Sequence, residues 1–323
     1  MNLIKKIRRK VFGTAVATGW TREDWLAFSA KQAGYRAARA AAAALPKDRL
    51  RSRTMSLTSK TVTQEDLSST WARYWLRELG EPFRFHRQPW EFAYVLQSLR
   101  DARCIGSGVR ALVLGEQRNP ILSYLAARGV HNTVLLHPGQ IDAASTPMHE
   151  LMRKMSHRHE LIAGDRYDVG VTGRIGSVAD IPTEEADFDV VWTIDHLNRL
   201  NNAAAARSEI LSAMRCLRPG GVGVFVFDLD LSSEGLSSTA PRLRREDLRM
   251  IASQMIAEGH YVSPLNFKAG EGPLDCFIDT PPYPGHSSQD LRDVWGDDAL
   301  HLKLLLGGAV CTSFGMMITR RPA

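Results

Sequence analysis

The stretch RALVLGEQRNPILSYLAARG, residues 110–129, sets the reading of the whole chain. Ala111–Leu114 is an apolar run of the length of a buried strand. Gly115 marks a turn, Pro120 suits the first turn of a helix, and Ile121, Leu122 and Leu125 share one helical face over 120–128. A nucleotide-binding α/β protein normally carries two or three glycines in such a turn, which lets the backbone approach the ligand. Here Gly115 stands alone before Glu116, Gln117, Arg118 and Asn119.

Downstream the alternation repeats. Thr133–Leu136 reads as a second strand, residues 147–156 as a polar helix, and a less defined strand falls within 168–178. FDVVWTI (188–194) is a clear buried strand. Asn201 or Asn202 caps a helix with a stripe of Ile210, Leu211, Met214 and Leu217, and Pro219-Gly220-Gly221 stops it. VGVFVFDL (222–229) is the next strand, then a helix over 244–258 turns Leu248, Ile251 and Met255 inward. HYVSPLNF (260–267) and AVCTSFGMMITR (309–320) are the last strands, separated by a segment rich in Pro, Gly and Asp. Such alternation predicts an α/β fold, a mostly parallel sheet with helices on both faces.

The 323 residues, 44% hydrophobic and 24% charged, suffice for a sizeable core. The net charge of +6 is unevenly placed: residues 1–53 hold 13 Lys and Arg against 3 Asp and Glu. The basicity belongs to an N-terminal arm, and the body lacks the basic, aromatic-interleaved platform of a nucleic-acid binder. In the arm, Leu3, Ile4, Ile7 and Val11 among Lys5, Lys6, Arg8, Arg9 and Lys10 spell a short basic amphipathic helix. That pattern suits a protein partner or an anionic membrane surface. Residues 25–45 are Ala-rich and favour helix up to Pro46, and a polar linker follows. Arm and linker thus occupy 1–61 and an α/β domain 62–323, opening with helical, aromatic-rich sequence over 66–103. No apolar run reaches the ~20 residues of a membrane span, and the one near the start is too short for a signal peptide. Cys104, Cys216, Cys276 and Cys311 have neither disulfide-framework nor zinc spacing, so no metal is expected. The expectation is a cytoplasmic chain, peripheral to the membrane at most.

Two neighbouring segments, ADFDVVWTIDHLNRL (186–200) and ARSEILSAMRCLRPGGVGVFVFD (206–228), carry a family likeness. Their strand, helix, Leu-Arg-Pro-Gly-Gly turn and second strand resemble the second half of class I S-adenosylmethionine-dependent methyltransferases. Upstream, ALVLGEQRNPILSYLAARGVHNTVLL (111–136) is similar to the first two strands of that family, in register. Three further segments, 73–99, 228–235 and 272–318, resemble a narrower bacterial subgroup. The likeness covers residues 66–320. It implies a Rossmann-like seven-stranded sheet with an antiparallel last strand and an S-adenosylmethionine pocket at the carboxyl ends of the first strands. For the subgroup it also implies a saccharide or other cell-envelope metabolite as methyl acceptor.

By that resemblance the cofactor-binding residues are Gly115, Glu116, Gln117, His137, Ser177 and Asp195. Several depart from the family pattern. The subgroup's first turn is Gly-x-Gly-x-x-Pro, whereas Gln117 replaces the second glycine and sets a Cβ where a ligand approaches. Arg118 brings a cation towards a cationic ligand. His137 stands where an acid would accept from the ribose diol, and an imidazole lacks a carboxylate's two acceptors. Ser177 takes the acid position after the third strand, with Asp180 nearby, and Asn198-Arg199 replaces a Glu-His pair. At about 1–2 kcal/mol per missing contact, three losses weaken the hold about a hundredfold to about twenty-thousandfold. Cofactor binding is therefore expected to be weakened or lost.

Three residues are candidates for catalysis. His301, in the last segment with Asp279 and Lys303, is a potential general base. His86 lies on the lead-in helix with Arg87, Trp90 and Glu91, and Asp195 ends a strand. The alternative function is a pseudoenzyme, a catalytically inactive relative serving as a partner-binding or scaffold subunit. A third reading has Arg118, His137 and Arg199 receive an anion.

Overall fold

The computed structural model describes residues 22–47, 50–115, 120–137, 148, 150, 152, 170–200, 202–232, 242–281 and 300–322. Helix α1 (Arg22–Ala43) is followed by strand β1 (Ser59–Thr61) and helices α2 (Gln64–Ser68), α3 (Thr70–Leu79) and α4 (Arg87–Asp101). Next come β2 (Arg110–Leu114), α5 (Pro120–Ala127), β3 (His131–Leu136), β4 (Val171–Ile175) and β5 (Phe188–Ile194). Helix α6 (Ala203–Cys216) runs directly into β6 (Leu217–Asp230), and α7 (Arg245–Ala257) precedes β7 (Tyr261–Val262), β8 (Leu265–Asn266) and β9 (Ile278–Asp279). A hairpin of β10 (Lys303–Leu306) and β11 (Ala309–Thr319) closes the chain. Gly307 and Gly308, both at positive φ, make its two-residue turn.

The strands pair in the order β4-β3-β2-β5-β6-β11-β1-β8. The first five in that order are parallel, and β11 runs antiparallel to β6 over Cys311–Thr319. A mostly parallel sheet with an antiparallel last strand is thus present. Among the described residues the sheet has 11 strands rather than the expected seven, because short segments join around β11. From β2 the chain builds outwards through β3 and β4, then returns to β5 on the other side of β2. The crevice at the carboxyl ends of β2 and β5 is therefore the topological switch point, where open α/β sheets bind ligands.

Alternation along β6 feeds two apolar layers. Val224 and Val226 join Trp90, Tyr94 and Trp192 under α4, while Phe225, Phe227 and Leu229 meet Ile210, Met214, Leu248 and Ile251 of α6 and α7. Two buried indoles are hydrogen-bonded: Trp75 Nε1 of α3 donates to Gln97 (2.8 Å) and Trp90 Nε1 of α4 to Asp66 (3.0 Å).

Several boundaries differ from the sequence reading. The helical stretch over 66–103 is three helices, broken at Ser69, whose hydroxyl caps α3, and at Gly80, which ends it at φ 65°. The Pro219-Gly220-Gly221 turn does not stop α6. It lies inside β6, where pairing with β5 shifts register between Phe188 and Val190 and Gly220 sits at φ 76°. Asn202, not Asn201, caps α6. HYVSPLNF supplies only the two-residue strands β7 and β8, and of the polar helix near 147–156 only residues 148, 150 and 152 are described. Ser59–Thr61, assigned by composition to a linker, pairs inside the sheet with β11 and β8. Lys31, Tyr35 and Ala38 of α1, at i, i+4 and i+7, are buried. A Cβ at Gly34 would fall 2.7 Å from Phe277, so the helix lies close on the segment leading into β9. The amphipathic segment 3–11 lies outside the described residues. Among the described residues, no helix is long and apolar enough to cross a membrane.

Gly315 of β11 lies under the Tyr94 ring, and the Tyr94 hydroxyl reaches the carbonyls of Thr58 and Gly315, both at 3.0 Å. A Cβ at Gly315 would overlap the ring. Gly315→Ala is expected to destabilise the fold by about 1–3 kcal/mol, read as a lower urea midpoint at unchanged slope. An unchanged midpoint would contradict this packing.

Candidate functional site

Of the residues expected to hold a cofactor, Gly115, His137, Ser177 and Asp195 are described, and each follows the carboxyl end of a strand. Gly115 ends β2 at φ 86° and donates its N–H to the Leu135 carbonyl at 2.9 Å. A side chain there would be strained and would place its Cβ 2.8 Å from His196 Nδ1. Glu116, Gln117, Arg118 and Asn119 lie outside the described residues. His137 follows β3 and is exposed. Ser177 follows β4 and caps a single turn, accepting from the Ala179 N–H at 3.2 Å, while Asp180 turns back to the Ser177 N–H at 3.3 Å. Asp180 is therefore spent locally, whereas the Ser177 hydroxyl keeps its proton to donate.

Asp195 and its neighbours end β5. Asp195 takes a left-handed backbone, φ 62°, unusual for a residue with a side chain and a frequent mark of functional turns. Its carboxylate accepts from Asn198 Nδ2 at 2.9 Å, and Asn198 Oδ1 accepts the Asp228 N–H at 2.7 Å. Asn198 is thus a brace between the ends of β5 and β6. His196 turns the other way: Nε2 meets Glu209 at 3.0 Å, and the buried Nδ1 against Gly115 has no hydrogen-bond partner.

Beside this edge lies a second, buried polar group. The Arg87 N–H donates to the His301 carbonyl (3.1 Å) and the His301 N–H to the Phe85 carbonyl (3.0 Å). This backbone bridge brings His86 and His301 face to face, ring centroids 4.7 Å apart and planes within 18°. His86 Nδ1 accepts the Gln88 N–H at 3.1 Å and caps α4. His301 Nδ1 lies 2.7 Å from Asp279 Oδ2, and Lys31 Nζ lies 2.9 Å from Asp279 Oδ1. An ionised Asp279 makes Nδ1 the donor and Nε2 the basic nitrogen of His301. One helical position on, Arg87 pairs with Asp228, and Glu91 a turn later accepts from Ser313.

Burial controls the charges here. It pushes His86 well below its ordinary pKa, helped by His301, Arg87 and Arg84, and it lowers His301 against the pull of Asp279. Both imidazoles are neutral at pH 7. Burial also works against the charge of Arg87, but Asp228, Glu91 and Asp195 outweigh it and raise its pKa. Burial raises Asp195 as well. Glu91 is raised to about 8, by burial first and then by Asp195, so it carries a proton at neutral pH.

The structure therefore brings His86 and His301 together and sets Asp195 beside the same Arg87. Of the other residues in these segments, Trp90 turns to Asp66, and Lys303 donates to the Asp275 carbonyl. Sequence reasoning missed Lys31 and Asp228. Their signals were a lysine on the same helical face as Tyr35 and Ala38, and an acid set in the apolar run of β6. Among the described residues, no group of His, Cys, Asp and Glu is gathered to hold a metal.

The raised Glu91 carboxyl makes a stability prediction. A folded pKa above the ordinary 4.5 contributes stability fully below that value and loses it as pH rises through about 8. Glu91→Gln, which keeps a neutral side chain of similar shape, is expected to gain on the wild type over that range by a few °C in Tm. Parallel Tm-against-pH curves would contradict a buried, protonated Glu91.

No protein-family model matches the chain, and no curated protein matches it. Solved structures do. A chain assigned as a sarcosine dimethylglycine methyltransferase from Galdieria sulphuraria shares 13% identity, covering 78% of this chain and 99% of its own, with a TM-score of 0.43. The cyclase SpnF shares 12%, covering 84% and 100%, at 0.47. The N-methyltransferase NodS from Bradyrhizobium japonicum shares 13%, covering 73% and 96%, at 0.38. Five parallel strands wound outwards from a central switch point, closed by antiparallel β11, give this chain a Rossmann-like α/β fold.

Proposed function

We propose that this chain transfers a methyl group from S-adenosylmethionine to a hydroxyl of a small acceptor, a saccharide or other cell-envelope metabolite, and holds its cofactor weakly. The observation that carries the reading is the buried Asp279–His301 pair, stacked on His86 and adjoining the Arg87–Asp228 pair at the sheet's carboxyl edge. Groups with shifted pKa values gathered beside the carboxyl edge of the sheet suit acid–base chemistry, and a structural role alone repays their burial poorly.

The described residues fit the cofactor in part. Gly115 keeps its turn free of a side chain, and the unpartnered His196 Nδ1 beside it is an acceptor awaiting a donor. Gly115, His137, Ser177 and Asp195 would hold the nucleoside; Glu116 and Gln117, which the resemblance adds to that set, lie outside the described residues. His137 in place of a carboxylate is the main reason for a weak hold. When bound, the cofactor supplies a methyl group on a positively charged sulfur.

The protein's own part is positioning and proton removal. Neutral His301 accepts the acceptor's hydroxyl proton at Nε2, and Asp279 stabilises the resulting imidazolium through Nδ1–H. His86 packs the ring flat, and the protonated Glu91 adds no charge beside Arg87. Carboxylates and imidazoles at this edge are acceptors for a polyhydroxylated substrate.

Isothermal titration is expected to give a dissociation constant near the millimolar range. In assays of labelled methyl transfer to a saccharide panel, His301→Gln is expected to lower kcat about 10²- to 10⁴-fold with KM little changed. Absence of heat at millimolar S-adenosylmethionine would sink the enzyme reading and favour the pseudoenzyme.

A further inference from the structure

We infer that Lys31, on the N-terminal helix α1, is a positioning residue for His301, and that the arm is thereby a component of the site. The inference rests on the proposed role of His301 as the base. Lys31 and Asp279 are both buried, and their ion pair links α1 to β9 from opposite ends of the chain. The lysine is itself fixed, donating to the Thr280 carbonyl at 2.5 Å. Gly34 makes that reach possible, since any side chain there would press on Phe277, two residues before Asp279.

The charges explain why the lysine is needed. The two oxygens of Asp279 are divided, Oδ1 to the ammonium and Oδ2 to the imidazole. Burial keeps His301 neutral, and the ammonium offsets part of the pull of Asp279, so that the imidazole holds its proton on Nδ1 with Nε2 as its basic nitrogen. With the ammonium removed, the buried carboxylate loses the cation at Oδ1. It then draws a proton onto His301 more strongly, and the neutral imidazole oriented by a carboxylate is lost at a higher pH than in the wild type. Among the described residues, the charged and titratable groups facing His301 include Asp279 from β9, Lys31 from α1, and His86 and Arg87 from the start of α4.

The test is ring-nitrogen NMR of His301 in the full chain, without cofactor or acceptor, comparing wild type, Lys31→Met and Lys31→Arg. Lys31→Met is expected to raise the pH at which His301 titrates by about one unit, and Lys31→Arg by less. A folded Lys31→Met chain whose His301 titrates as in the wild type overturns the inference. Should that variant not fold, the wild type decides: the inference requires an ionised Asp279 and an Nδ1–H His301 at pH 7. A protonated Asp279 carboxyl, read by its carbon shift, overturns it. These readings need no methyl transfer, so failure here is distinct from failure of the His301→Gln assay.

Discussion

Buried charge at the carboxyl edge has to be neutralised within the fold, and that constraint organises the site. Arg87 without Asp228, or Lys31 without Asp279, would each leave an ion in a low-dielectric interior at a cost of several kcal/mol. The two pairs join α4 to β6 and α1 to β9. The pairs thus add charge neutralisation, at one edge of the sheet, to elements that apolar packing already brings together. The backbone bridge between Phe85–Arg87 and His301 adds direction, because it fixes which faces of the two imidazoles touch.

The sheet supplies the frame for these pairs. β6 and β11 run alongside one another over most of their length, with Ser313 opposite Asp228 and Gly315 opposite Val226. Ser313 engages Glu91, and Gly315 admits Tyr94, so one strand receives α4 at two successive positions on the same face. Close packing of α4 on β11 carries Arg87 to the carboxyl end of β6. On the far side of the switch point, Gly115 is pressed by His196, and that contact couples the first turn to the end of β5.

Much of this was legible in the residues. Strands at 111–114, 133–136, 188–194 and 309–319, with helices between, follow from apolar runs and 3.6-residue stripes, which are local signals. His86, His301 and Asp195 were legible as polar residues at turns flanking apolar segments. What the pattern misplaced had a physical reason in each case. Pro219-Gly220-Gly221 reads as a helix stop, but the backbone of Leu217 already pairs with Phe188, and the turn became a bulge. Ser59–Thr61 reads as linker because a three-residue strand is too short to show alternation.

The sequence by itself determined the order of strands and helices, the turn at Gly115, and the uneven charge that sets residues 1–53 apart. These depend on side-chain period and on turn chemistry, both encoded within a few residues. Only the tertiary structure decided which charges meet: Arg87 with Asp228 across 141 positions, and Lys31 beside Asp279 and Thr280. A basic residue in an Ala-rich helix looks the same in sequence whether it faces water or a carboxylate. Its role is set by burial, and burial is a property of the assembled fold.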